Sequence, residues 1–314
     1  DVMKLLSFLF LPVVFSLSAC SGNRQSEEIT STEGYVKING SDVYYKTMGA
    51  GSPIVFIHGG PVLDHSYLLP PMAELARDHQ LIFYDQRACG KSSLEVDTTT
   101  MSIPGFVEDI ELLRRELNLG NIHLLGHSWG GLLAMSYAVK YPDHLRSLIL
   151  SNSIPASTEK WQEEQMLLAQ RITPEDSLRR AEILQSGEMQ ENPSEAVRKL
   201  LLLSYKPQFY NPELLDSLSL HIPGDYMERS REFQRLGPDL ASFNLYEDLE
   251  KFDKPTLIIY GDQEPAAALS AEELERTIPN AEYVRIKDCG HFPFVEQPEL
   301  YFDAIRTFLH TSEK

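Results

Sequence analysis

The chain has 314 residues, 42% of them hydrophobic and 24% charged. That length holds one large domain or a domain with an insertion, and the apolar share supplies a proper core, which excludes a chain disordered by composition. A formal charge of −18 argues against nucleic acid or an anionic membrane as a partner surface.

Met3-Lys4 opens an apolar run from Leu5 to Leu17, ending in Leu17-Ser18-Ala19-Cys20. A basic start, roughly 13 apolar residues and small residues before a cut site form a secretory signal. A spanning helix needs about 20 apolar residues. The ending resembles the lipobox of bacterial lipoproteins, so residues 1–20 read as a lipoprotein-type signal with Cys20 as the lipidated residue. Residues 21–33 are polar and read as a tether. The expected location is the bacterial cell envelope, with the lipid anchor as the one membrane contact. Cys89 and Cys289 are too few to read as a disulfide framework, and their pairing stays open.

Tyr35–Gly40 and Val43–Thr47 read as strands around an Asn39-Gly40 turn. Pro53–Ile57 is a continuous apolar run suited to a central strand, and it empties into His58-Gly59-Gly60-Pro61. A helix through Met72–Arg77 leads to the strand Leu81–Tyr84 and then to Asp85-Gln86-Arg87-Ala88-Cys89-Gly90-Lys91-Ser92. Apolar residues at 106, 110, 113 and 117 have the helical period. The strand Ile122–Leu125 runs into Gly126-His127-Ser128-Trp129-Gly130-Gly131, followed by helical composition and the strand Leu148–Leu150. From 153 to 251 strand-like runs give way to polar helical stretches punctuated by prolines. Strands resume at Thr256–Tyr260 and Glu282–Ile286, and a last helix spans about Gln297–Leu309. The fold class is therefore α/β: a mostly parallel sheet with helices on both faces, a core of 34–152 and 252–314, and a helical cap at 153–251. The cap should lie over the carboxyl edge of the sheet.

Gly-x-Ser-x-Gly between a strand and a helix is the nucleophile elbow, which lifts a serine oxygen clear of the sheet. A serine hydroxyl needs a base to take its proton, and that base needs a carboxylate to fix its tautomer. In the chain order Ser, acid, His, the base is His291 in the loop after the last strand. The acid follows the strand ending at Tyr260, where Gly261-Asp262-Gln263-Glu264 offers Glu264 and, as the alternative, Asp262. The backbone N–H groups of Gly60 and Trp129 are the candidates for an oxyanion hole. No Cys/His spacing suggests a metal site, and the chemistry calls for no cofactor.

With these motifs the chain resembles the alpha/beta-hydrolase superfamily and, within it, the proline iminopeptidase family that includes the tricorn-interacting aminopeptidases. The Gly-Gly-Pro loop combined with Asp85-Gln86-Arg87 points to that branch, and Gly-x-x-Asp in such hydrolases favours the register of Glu264. Such enzymes hold the substrate's free amine with acidic residues from or near the cap, and by that similarity Glu232 is the candidate ammonium contact. Three positions depart from the family pattern. Val62 ends the His-Gly-Gly-Pro loop, Ala88 replaces a glycine, and Pro265 stands where some relatives carry a second amine-binding glutamate. The resemblance implies a serine aminopeptidase releasing an N-terminal residue, proline included, from short peptides. Alternatives are a carboxylic ester hydrolase or lactonase acting on small acyl substrates with the same triad, and a catalytically silent binding protein.

Overall fold

A computed structural model of the protein describes residues 29–313. The signal, Cys20 and the tether up to residue 28 lie outside the described residues. The tether ends earlier than expected: strand β1 spans Ser31–Ile38, so Ser31–Glu33 are paired with strand β2 (Ser41–Met48). Between them Asn39 and Gly40 have φ of 49° and 82°, the two positive values a type I′ hairpin turn requires.

The other strands are β3 (Ser52–Ile57), β4 (His79–Tyr84), β5 (Ile122–His127), β6 (Leu145–Ser151), β7 (Thr256–Gly261) and β8 (Ala281–Ile286). All eight form one sheet in the order β1-β2-β4-β3-β5-β6-β7-β8. β1 and β2 are antiparallel, as are β2 and β4, and the rest of the sheet is parallel. Side chains alternate across the pleat. Ile54 and Phe56 therefore join one apolar core with Leu81, Phe83 and Ile259, while Val55 and Ile57 join the other with Ile82, Tyr84 and Leu124. Burial on both faces explains why these runs are apolar throughout.

Helices α1 (Ile103–Glu116) and α2 (Trp129–Lys140) cover the Val55 face, contributing Phe106, Ile110, Leu132 and Tyr137. The cap carries α3 (Thr158–Ala169), α4 (Pro174–Gln185), α5 (Pro193–Tyr205) and α6 (Tyr226–Phe233). The terminal helix α7 (Pro298–Ser312) packs Tyr301, Ile305 and Leu309 on the Ile54 face. The helix expected over Met72–Arg77 is instead one α-turn, Leu69–Met72, followed by a 3-10 segment, Ala73–Arg77. So short a stretch between a proline pair and β4 cannot repay helix nucleation.

The cap leaves and re-enters the core through two stems held side by side. Thr158 N–H donates to Phe243 O, and Leu245 N–H donates to Ala156 O, each at 2.9 Å. No helix among the described residues is long and apolar enough to cross a membrane.

Candidate active site

Ser128 stands between the end of β5 and the start of α2, with φ 56° and ψ −123°. A non-glycine residue keeps a positive φ only where its surroundings force it. Here the forcing is steric. A Cβ on Gly126 would lie 2.3 Å from the Gly130 carbonyl oxygen, and one on Gly130 would lie 2.2 Å from that of Ile57. The turn thus presses α2 onto β3 and leaves Ser128 partly exposed between buried His127 and Trp129. Trp129 is the first residue of α2, so its N–H belongs to the set without an intrahelical partner.

His291 and Glu264 come from the loops after β8 and β7. His291 Nδ1 is 2.6 Å from Glu264 Oε2, and the two residues are 5% and 3% exposed. Burial alone would raise the Glu264 carboxyl. The charge and hydrogen bond of His291, with the neighbouring Glu164 and the amide of Asn152, outweigh it and hold the group below its ordinary range. Asp262 is half-buried and faces elsewhere: its Oδ1 accepts the Cys289 N–H at 3.3 Å and shapes the turn before His291. Of the two candidate acids, Glu264 is the one joined to His291.

A second histidine ties the parts together. Gly59 N–H donates to the Tyr67 hydroxyl at 2.7 Å, and that hydroxyl lies 2.8 Å from His127 Nδ1. His127 Nε2 lies 2.9 Å from the His291 carbonyl oxygen. A carbonyl only accepts, so Nε2 carries the proton and Nδ1 receives the tyrosine O–H. Burial, with the nearby His291, pushes His127 well below its usual pKa, which keeps the ring neutral. One chain of hydrogen bonds therefore links the Gly59-Gly60 loop, the elbow and the His291 loop. His127 lies inside the serine motif, but its partner Tyr67 has no local signature in the sequence.

The Asp85-Gln86-Arg87 run is a scaffold. Gln86 accepts the Trp129 indole N–H at 3.0 Å and donates to His58 O at 2.8 Å. Arg87 grips Asp109 of α1 with Nε and Nη2, both at 2.5 Å. Asp85 accepts from His65 N–H, His65 Nδ1 and Lys91 N–H at 3.0, 2.6 and 2.8 Å. Asp64, His65 and Asp85 crowd together, but protein donors already occupy the carboxylates, Asp64 taking Ser66 N–H and His221 Nδ1, both at 2.8 Å. Cys89 and Cys289 are both buried and free.

Ser128, His291, Gly60 and Trp129 line one cavity of about 180 Å³ under the cap. That is small beside the roughly 300–1,000 Å³ of typical ligand pockets. The cap contributes Trp161, Glu164, Gln165 and Leu168 of α3 to its wall. That i, i+3, i+4, i+7 spacing is one helical face, and Glu164 is a buried carboxyl on it. A larger space of about 280 Å³ adjoins it, sharing Gly60, Pro61 and Tyr205 and faced by Tyr226, Ser230, Phe233 and Gln234 of the α6 region. Glu232 lies off that face. It is bonded to Arg235 at 2.9 Å and lines neither cavity.

The alpha/beta hydrolase fold family matches residues 52–177 and 200–298. A proline iminopeptidase of Clostridium botulinum strain Hall is 31% identical over an alignment of 296 positions that covers 90% of this chain and 99% of that protein. One from Heyndrickxia coagulans is 29% identical over an alignment of 295 positions that covers 89% of this chain and 99% of the relative. The chain belongs to the proline iminopeptidase family of alpha/beta hydrolases. The proline iminopeptidase structure from Mycobacterium smegmatis shares the fold, with a TM-score of 0.66 at 22% identity, covering 90% of this chain and 98% of that one. Within this family the departures now have places. Val62 walls the larger cavity. Ala88 has a positive φ of 56°, a conformation that favours glycine, and is fully buried. Pro265 leaves no carboxyl directly after Glu264, and the carboxyl beside that acid comes from Glu164 instead.

Proposed function

We propose that the protein is a serine aminopeptidase that releases an N-terminal residue, proline among them, from short peptides. What carries this reading is the meeting of Ser128, His291, Gly60 and Trp129 in one small covered cavity, in a chain related along 90% of its length to a proline iminopeptidase. Ser128 Oγ attacks the scissile carbonyl carbon while His291 Nε2 takes its proton and later hands it to the leaving amine. Glu264 Oε2 accepts from His291 Nδ1–H, fixing the tautomer and stabilising the imidazolium. The N–H groups of Gly60 and Trp129 receive the oxyanion. Water then repeats the attack on the acyl-enzyme, and the chemistry requires no metal or cofactor.

The test is a panel of prolyl and other aminoacyl amides beside short acyl esters, with Ser128→Ala as control. Turnover of esters alone removes the peptidase and leaves the second reading, a carboxylic ester hydrolase or lactonase. That second reading is favoured by one observation: Glu232, the expected ammonium contact, pairs with Arg235 rather than facing the cavity.

The lipid anchor is a separate proposal, supported by Leu17-Ser18-Ala19-Cys20 behind its apolar run. It predicts that the expressed protein sediments with membranes and that Cys20→Ser releases it. Equal partition of the two forms would remove the anchor.

A further inference from the structure

Glu164 of α3 is 3% exposed and is the carboxyl, among the described residues, in the wall of the Ser128 cavity. Its carboxyl lies beside that of Glu264, within reach of a hydrogen bond. Two carboxyl groups share a hydrogen bond only when one of them carries the proton, and their neighbours say which. Glu264 Oε2 already receives His291 Nδ1 at 2.6 Å and Asn152 Nδ2 at 3.3 Å, both of which favour a carboxylate. Glu264 Oε1 is buried and receives no N–H or fixed hydroxyl from the described residues. Lys160, one turn back on α3, is turned to Leu269 O at 2.9 Å and to Glu273.

We propose that Glu164 holds a proton and donates it to Glu264 Oε1, so that the acid of the triad is a carboxyl–carboxylate pair with one member from the core and one from the cap. This rests on Glu264 as the triad acid. Glu164 is then a positioning residue: its O–H holds the Glu264 carboxylate so that Oε2 stays on His291 Nδ1. It also makes the alignment of Glu264 with His291 depend on a seated cap. The titratable groups facing the pair are Tyr260 at the end of β7, Cys289 and His291 in the loop after β8, and Tyr205 across the cavity. Burial and the charge of Glu264 both push the Glu164 carboxyl well above the ordinary carboxylate range. Loss of that proton as the pH rises sets two buried like charges against each other.

The experiment measures the rate of Ser128 labelling by a fluorophosphonate against pH, a readout that does not depend on the natural substrate. Glu164→Gln keeps an N–H donor for Oε1. It should stay within about tenfold of wild type at neutral pH and lose the alkaline limb that Glu164 ionisation produces in the wild type. Glu164→Leu removes the donor and should slow labelling by about 10- to 100-fold, the factor a hydrogen bond to a charged group is worth, with its melting temperature checked. Wild-type labelling by the leucine variant at every pH overturns the proposal, as does a wild-type alkaline limb in the glutamine variant, which decides alone if the leucine variant does not fold. Failure to turn over aminoacyl amides while labelling behaves as described would sink the peptidase reading and leave this inference standing. Wild-type labelling in Ser128→Ala would sink both.

Discussion

At the scale of single residues, the two acids in Gly261-Asp262-Gln263-Glu264 show how position divides one chemistry into two roles. Glu264 meets His291, while Asp262 holds the turn that delivers it. Glu264→Gln presents an amide to the wrong tautomer and should cost about 10⁴ in kcat, as loss of the charged triad acid does elsewhere. Asp262→Asn keeps an acceptor oxygen and should stay within roughly threefold, the scale of a change outside the reacting groups. Steady-state rates on one substrate compare them, and the reverse order would exchange their roles. Tyr67 makes a structural prediction. Its hydroxyl serves Gly59 N–H and His127 Nδ1 at once, so Tyr67→Phe orphans two buried groups. Urea unfolding should show a loss of about 1–3 kcal/mol; an unchanged midpoint would mean that water takes the hydroxyl's place.

Among elements, the loop that carries His291 is the one held from most directions. His291 N–H donates to Gln208 O of the cap at 2.8 Å. Glu296 accepts Gly290 N–H at 2.7 Å with one oxygen, and with the other Tyr210 and Asn211 N–H at 2.8 and 2.9 Å. Cap and catalytic loop are thus clamped by one carboxylate. Glu296→Ala frees three backbone donors and should lower stability by about 2–4 kcal/mol. It should also lower kcat more than it raises KM, because the loop presents the base and not the substrate. Equal kcat in the variant would show that Gln208 alone secures the loop. The strands and α1 are legible in the sequence because a buried strand must be apolar and a surface helix must be amphipathic. The cap's inner face is only half legible. Trp161 and Leu168 mark it by their period, but the same period carries Glu164, which reads like any other of the acidic residues there.

For the whole molecule, stability in acid depends on carboxylates held by partners. Glu111 of α1 is the clearest of these. Burial would raise its pKa, but Arg114, Tyr137 of α2 and His144 surround it and bring it down to about 2. A carboxylate depressed in the folded state stabilises it fully above the unfolded value, about 4.3, and that contribution fades as pH falls toward 2. Glu111→Gln should therefore be less stable than wild type at pH 7, with the difference shrinking between about pH 4.3 and pH 2. Chemical denaturation at several pH values measures it, and a constant difference would mean that packing and not charge holds α1 to α2.

By itself the sequence determined the sheet, the presence of a cap, and the order of nucleophile, acid and base. Those follow from periodicity along the chain and from glycines that the elbow's close approach demands at Gly126 and Gly130. Which acid meets His291, and that Glu232 turns to Arg235 while Glu164 turns inward, only the tertiary structure decided. The physical reason is that a carboxylate's role depends on which groups surround it in space. Cap and core supply those groups from positions 100 residues apart, Glu164 and Glu264, and no local pattern records that they meet.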